Sequence, residues 1–212
     1  MTAVDTTDPA SVLERVVRKR RTVRSYDPDR AVTAAELGRV LDAGLRTPSA
    51  GHTQAVELLA LTAADQRDRY WQLTTDPHRP ADAWLRGMRA APALVLMWTS
   101  ETAYRDRYAE PDKAWPRDSA AWSAPYWWVD AGMVVQTMLL AATALGLGSA
   151  FVGVPRTAQA VVAEAFAVPA DLRSVGLVTL GHRPTDHSPA PPRRPTRPRS
   201  ERIHTGRWSR AQ

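Results

Sequence analysis

At 212 residues and 44% hydrophobic content, the chain has the size of one domain with an ordinary core. It contains no cysteine, which excludes disulfides, thiolate metal sites and cysteine nucleophiles. The net charge of +6 lies entirely in residues 190–212, where Arg193, Arg194, Arg197, Arg199, Arg202, Arg207 and Arg210 are offset by Glu201 alone; the neutral body argues against a broad nucleic-acid face.

Met1–Ala10 is polar and carries Asp5 and Asp8. It lacks the basic-then-apolar order of a secretory signal, so a cytoplasmic location is expected. Ser11-Val-Leu-Glu14 reads as a capping box, followed by an apolar face of Val12, Leu13, Val16 and Val17. That helix ends in Arg18-Lys-Arg-Arg21. Thr33-Ala-Ala-Glu36 is a second capping box, with Leu37, Val40, Leu41 and Leu45 at helical spacing behind it. Thr47-Pro-Ser-Ala-Gly51 breaks the helix. Val56–Thr62 and Ala93–Thr99 read as strands, and Asp65–Leu73 as a helix with Tyr70 and Trp71 half buried. Residues 101–125 mix Trp, Pro, Tyr and charge without a period and read as irregular.

Ala131–Pro155 carries no charged residue, the length of a membrane span. Gly146, Gly148, Gln136, Thr137 and Thr143 interrupt it, so a buried helix over Trp127–Leu145 leading into a strand over Ser149–Val154 is expected, with no membrane association. Thr157–Phe166 reads as a helix and Val175–Leu180 as a fourth strand. Beyond Gly181 the pattern turns to Pro and Arg; Ile203, His204, Gly206 and Trp208 suggest an arm that docks on a partner subunit. Strands mixed with longer helices indicate an α/β or α+β fold.

Three segments carry chemistry. In Arg20-Arg-Thr-Val-Arg24-Ser-Tyr26, residues Arg20, Thr22 and Arg24 alternate, so an extended backbone projects them to one side. Two guanidiniums and a hydroxyl there suit a phosphate; taken alone, the run also fits a solvated basic helix end. Pro48-Ser-Ala-Gly-His-Thr-Gln54 offers hydrogen-bonding groups around a glycine, suited to a flat heterocycle or to an ordinary loop. Leu145-Gly-Leu-Gly-Ser149 looks like a dinucleotide fingerprint but runs helix-to-strand, the reverse of the required order. The five histidines, His52, His78, His182, His187 and His204, show no metal-ligand spacing, and no serine sits in a nucleophile elbow. No metal is expected and no catalytic acid or base is named.

In this order the segments resemble the nitroreductase family of flavoproteins. The matching pieces are Arg20-Arg-Thr-Val-Arg24, the helix with Leu37 and Leu41, Pro48-Ser-Ala-Gly51 with Gln54, Ala141-Ala142 through Ser149, Leu180-Gly181, and Arg197 through Trp208. The resemblance implies an α+β sandwich, a mostly antiparallel sheet flanked by helices, with FMN at a homodimer interface. Residues 1–189 would form the FMN-binding domain, with 101–128 an insertion and possible substrate cap. Residues 190–212 would form an arm extending onto the partner subunit. By the same resemblance Arg20, Thr22 and Arg24 hold the phosphate and ribityl, with Arg21 on the ribityl or pyrimidine side. Pro48, Ser49, Ala50, Gly51 and His52 come from the other subunit and Gln54 also binds the cofactor; Val152 and Gly153 lie beside the ring, and Arg197, or else Arg194, reaches the phosphate. His52 stands where Asn is common, Ala55-Val56 replaces Pro-Trp, and Val152 stands where some members carry Glu.

The activity implied is hydride transfer from NAD(P)H through FMN to a nitroaromatic, quinone or similar electron-poor small molecule. Among Trp115, Trp122, Tyr126, Trp127 and Trp128, Trp115 and Trp127 are candidates to stack a planar substrate, against a purely packing role. Two alternatives within the family are a flavin-consuming enzyme resembling 5,6-dimethylbenzimidazole synthase and an FMN-dependent biosynthetic dehydrogenase. From another class, a flavin-free binding module with an Arg-rich tail would associate with polyanions in a salt-dependent way.

Overall fold

The computed structural model describes residues 8–117, 122–185 and 195–208. Along the chain lie α1 (Pro9–Lys19), α2 (Ala34–Leu45), β1 (Val56–Leu61), α3 (Ala64–Thr74), α4 (Ala83–Arg89) and β2 (Ala93–Thr99). They are followed by α5 (Glu101–Ala109), α6 (Tyr126–Ala144), β3 (Gly148–Val152), α7 (Gln159–Ala165) and β4 (Arg173–Gly181). The strands form one sheet in the order β1-β2-β4-β3, every neighbouring pair antiparallel. This is the antiparallel α+β sandwich that the resemblance implied.

Every residue of the central strand β2 is buried, because helices cover both faces. Its alternation sorts the core. Leu94, Leu96 and Trp98 face a layer with Tyr70 and Trp71 of α3, Met88 of α4 and Val162 of α7. Ala93, Val95 and Met97 face Leu37 and Val40 of α2 and Val134, Met138 and Ala142 of α6. Gly44 lets α2 approach α6 closely, since a Cβ there would lie 2.7 Å from Met138. Tyr70 and Trp71 are buried rather than half buried, at 2% and 4% exposure.

Sequence and structure differ in three places, at α1, α4 and α5, whereas the buried helix and strand expected from Trp127 to Val154 are found. Helix α1 starts ahead of the expected Ser11 cap, because the Asp8 carboxylate accepts the Ser11 N–H at 2.9 Å and Pro9 opens the helix. Glu14 instead pairs with Arg18. Helix α4, capped by Asp82, was not anticipated. The stretch expected to be irregular begins with α5, which Ser100 caps and a Glu101–Arg105 pair one turn apart supports. The uncharged stretch from Ala131 resolves into the rest of α6, a turn at Gly146 with φ of 78°, and β3. Among the described residues no helix is long and apolar enough to cross a membrane.

Candidate functional site

The arginine segment extends the sheet. Thr22 forms a parallel bridge with Ser149 on the edge strand β3, and the Val23 N–H donates to the Ser149 carbonyl at 2.9 Å. Val23 is buried while Thr22 and Arg24 are exposed, the alternation that an extended chain demands. Three contacts fix the segment from behind. The Tyr26 hydroxyl donates to the Val23 carbonyl at 2.8 Å. Gly148 makes room for Val23, which a Cβ would meet at 2.9 Å. Gly87 of α4 lies so close to Arg24 that a Cβ would stand 2.2 Å from its carbonyl oxygen.

Arg20 and Arg24 make no ion pair with any described residue. Arg21 turns back and donates to the carbonyls of Arg18 and Arg20. Ser149 buries a hydroxyl that finds no partner among the described residues. Val152 is half buried and Gly153 exposed, and a Cβ on Gly153 would meet nothing within 4 Å. The exposed Arg24 and Thr22, the half-buried Arg20, an orphaned buried hydroxyl and open space at the end of β3 fit a phosphorylated planar cofactor.

The loop from Pro48 to Gln54 is tightly wound. Gly51, His52 and Gln54 all have left-handed φ, at 63°, 56° and 54°, and non-glycine residues hold that conformation only where surroundings impose it. Inside the loop the Gln54 N–H donates to Ser49 Oγ at 2.9 Å and Thr53 Oγ1 to the Ala50 carbonyl at 2.6 Å. Outside it, α5 and α6 provide the anchors. Asp130 Oδ2 accepts the Ala50 N–H at 2.7 Å and the Tyr104 hydroxyl at 2.6 Å. Arg107 Nε donates to the Gly51 carbonyl at 2.9 Å, while its other nitrogens hold Asp112 in a two-point pair at 2.7 and 2.8 Å. That guanidinium holds the Asp112 carboxyl below the usual carboxylate range. Burial, reinforced by the Asp130 carboxylate, pushes the Tyr104 phenol well up, so it remains a donor.

These anchors were missed in the sequence. Ser100-Glu101 with Arg105 one turn on was a legible helix signal. Asp130 just before the uncharged stretch was the other signal, since a carboxylate near the start of a buried helix needs a partner.

The arginine segment and the loop occupy diagonally opposite corners. Thr22 lies beyond β3 and Val56 opens β1, so four interstrand steps separate them, about 19 Å at strand spacing. Val56 aligns with Thr99 and Arg173, whereas Ser149 aligns with Leu180 and Ala93 at the other end of the strands, about 20 Å further along them. One chain therefore does not bring both halves of the expected site together.

The aromatic side chains gather on α5. Trp122 contacts Tyr108, Trp115, Tyr126 and Trp127 with ring centroids 4.7–6.1 Å apart. Tyr108 also covers Gly51, whose Cβ would lie 2.8 Å from its ring. Trp115 is 40% exposed, whereas Trp127 is 7% exposed beneath Tyr104, Trp122 and the Arg105 guanidinium. In the arm, Arg197 pairs with Glu201 at 3.2 Å, Ile203 and Trp208 are exposed, and His204 stacks on Trp208. Arg194 and the expected boundary near residue 189 lie outside the described residues. Among the described residues no cluster of three or more potential ligands could hold a metal ion.

Residues 17–182 match the family model described as Nitroreductase family. A nitroreductase-type protein from Desulfovibrio desulfuricans, solved in complex with FMN, is 25% identical, with a TM-score of 0.66 over 93% of this chain and 98% of that one. The NADPH:FMN oxidoreductase of Vibrio harveyi, solved with NAD+, shares the fold at 19% identity, with a TM-score of 0.70 over 95% of this chain and 80% of that one. An FMN-bound nitroreductase-type protein from Exiguobacterium sibiricum shares it at 17% identity, with a TM-score of 0.69 over 93% and 97%.

Proposed function

Because the chain belongs to the nitroreductase family, we propose that it is an FMN-dependent oxidoreductase that uses NAD(P)H to reduce an electron-poor small molecule, a nitroaromatic or quinone. The observation that carries this reading is the arginine segment. Arg24 projects from the extended segment bridged to β3 at Thr22, and Arg20 caps the end of α1 just before it; neither has a carboxylate partner among the described residues. A surface charge run would not require Gly87, Gly148 and Tyr26 to fix its backbone.

FMN bound there would supply the two-electron chemistry, taking hydride from a nicotinamide and passing it to the acceptor. The protein binds, orients and keeps water out. Arg20, Thr22 and Arg24 hold the phosphate end, Arg21 and Arg197 add positive charge, and Val152 and Gly153 flank the ring. Arg194 is the alternative to Arg197.

The diagonal placement of the loop favours a homodimer in which Pro48–Gln54 closes over the flavin of the other subunit. Exposed apolar side chains support such an assembly: Leu13 and Val17 on α1, Trp128, Val129 and Met133 on α6, and Ile203 and Trp208 on the arm. Titrating apo-protein with FMN at two salt concentrations tests the cofactor reading. The wild type is expected to bind one FMN per chain, and Arg20→Ala and Arg24→Ala to bind more weakly with a shallower salt dependence. Equal affinity in all three would refute the phosphate assignment.

A further inference from the structure

The Asp130 carboxylate is 3% exposed, near the start of a helix that is otherwise apolar on its buried side. Burying a carboxylate is unfavourable unless hydrogen bonds compensate it. Here both compensating donors come from other elements, Tyr104 of α5 and the Ala50 backbone, and both reach the same oxygen, Oδ2. Ala50 is the last residue before the run that holds three left-handed conformations at Gly51, His52 and Gln54. The carboxylate thus grips the loop where its winding begins, and Asp130 lines one pocket with Pro48, Ser49 and Gln54.

We propose that Asp130 is a positioning residue for the flavin of the partner subunit: with Tyr104 orienting its carboxylate, it fixes Ala50 and thereby the loop that closes over that flavin. The proposal rests on the reading that the loop acts across the dimer. It assigns opposite addresses to two groups in one chain, since Arg24 serves the chain's own flavin and Asp130 serves the other.

Mixed dimers separate these addresses. Differently tagged chains carrying Asp130→Ala and Arg24→Ala are combined, purified as the mixed species, stripped of cofactor and titrated with FMN by quenching of its fluorescence. Each variant homodimer is expected to lose about tenfold or more in FMN affinity, the scale of one hydrogen bond to a charged group. The mixed dimer regains one wild-type site, because one flavin then meets an intact arginine segment and an intact loop. Asp130→Asn, which keeps the shape and one acceptor oxygen, guards against misfolding and should fall between wild type and Asp130→Ala.

A mixed dimer without a tight site, or an Asp130→Ala protein with wild-type FMN affinity and only a lowered apo melting temperature, overturns the positioning role while leaving the cofactor reading intact. A wild type that takes up no FMN overturns the cofactor reading and this proposal with it.

Discussion

A methyl group on Gly87 would lie 2.2 Å from the carbonyl oxygen of Arg24 and 3.2 Å from the Ser25 Cα. The obstructing atoms are backbone, so no rotamer change relieves them. Gly→Ala inside a helix ordinarily gains up to about 1 kcal/mol, but overpacking of this kind costs about 1–3 kcal/mol. Gly87→Ala is therefore expected to destabilise the protein by about 1–2 kcal/mol and to weaken FMN retention by moving Arg24. Urea unfolding and FMN titration check both, and unchanged FMN affinity would show that the arginine segment tolerates displacement.

Gly51 combines two constraints that a double variant separates. Its φ of 63° disfavours any Cβ, by about 1–2 kcal/mol, and Tyr108 fills the space that the Cβ would take. Gly51→Ala is expected to lower FMN affinity through the loop. Gly51→Ala with Tyr108→Ala relieves the steric part alone, so recovery should be incomplete. Full recovery would mean that the left-handed conformation is not required.

What the sequence made legible depends on range. Thr33 and Glu36 announced α2 because a capping box is local, and both of its hydrogen bonds form. The alternation of Thr22 and Arg24 about Val23 survived because an extended segment leaves no other arrangement, whereas Arg20 falls on the C-cap of α1. Asp130, Tyr104 and Gly87 were missed because their roles exist only between elements: a carboxylate on α6 meeting a phenol on α5, a glycine on α4 meeting a carbonyl 63 residues earlier. Helix α5 shows no apolar period, since only Tyr104 is buried on it and one buried position makes no period, so its legible signals are the Ser100 cap and the Glu101–Arg105 pair alone.

The aromatic cluster predicts a division of labour. Trp115→Ala is expected to raise KM for a planar aromatic acceptor several-fold with FMN still bound. Trp127→Ala removes a buried ring and should lower stability by about 3–5 kcal/mol. Steady-state kinetics with a nitroaromatic, set beside thermal melting, separates the two, and an unchanged KM in Trp115→Ala contradicts a substrate contact.

Burial raises the phenol of Tyr70 to about 12, and those of Tyr26 and Tyr104 also shift upward. A group whose folded pKa lies above its unfolded value of 10.0 contributes stability that is fully present below the unfolded pKa and lost as pH rises through the folded one. Stability should therefore hold to about pH 10 and fall beyond it. Tyr70→Phe should show a shallower alkaline decline, measured as urea midpoint against pH. An identical decline would place the titrating groups elsewhere.

The FMN and NAD(P)H assignments are tested together by the visible absorption spectrum of the purified protein, recorded anaerobically before and after NADH and then NADPH. A bound-flavin spectrum that bleaches with at least one nucleotide and recovers when a quinone or nitroaromatic is added is expected. Protein that stays colourless after incubation with excess FMN would contradict the cofactor assignment, and bound flavin that ignores both nucleotides would contradict the reductant.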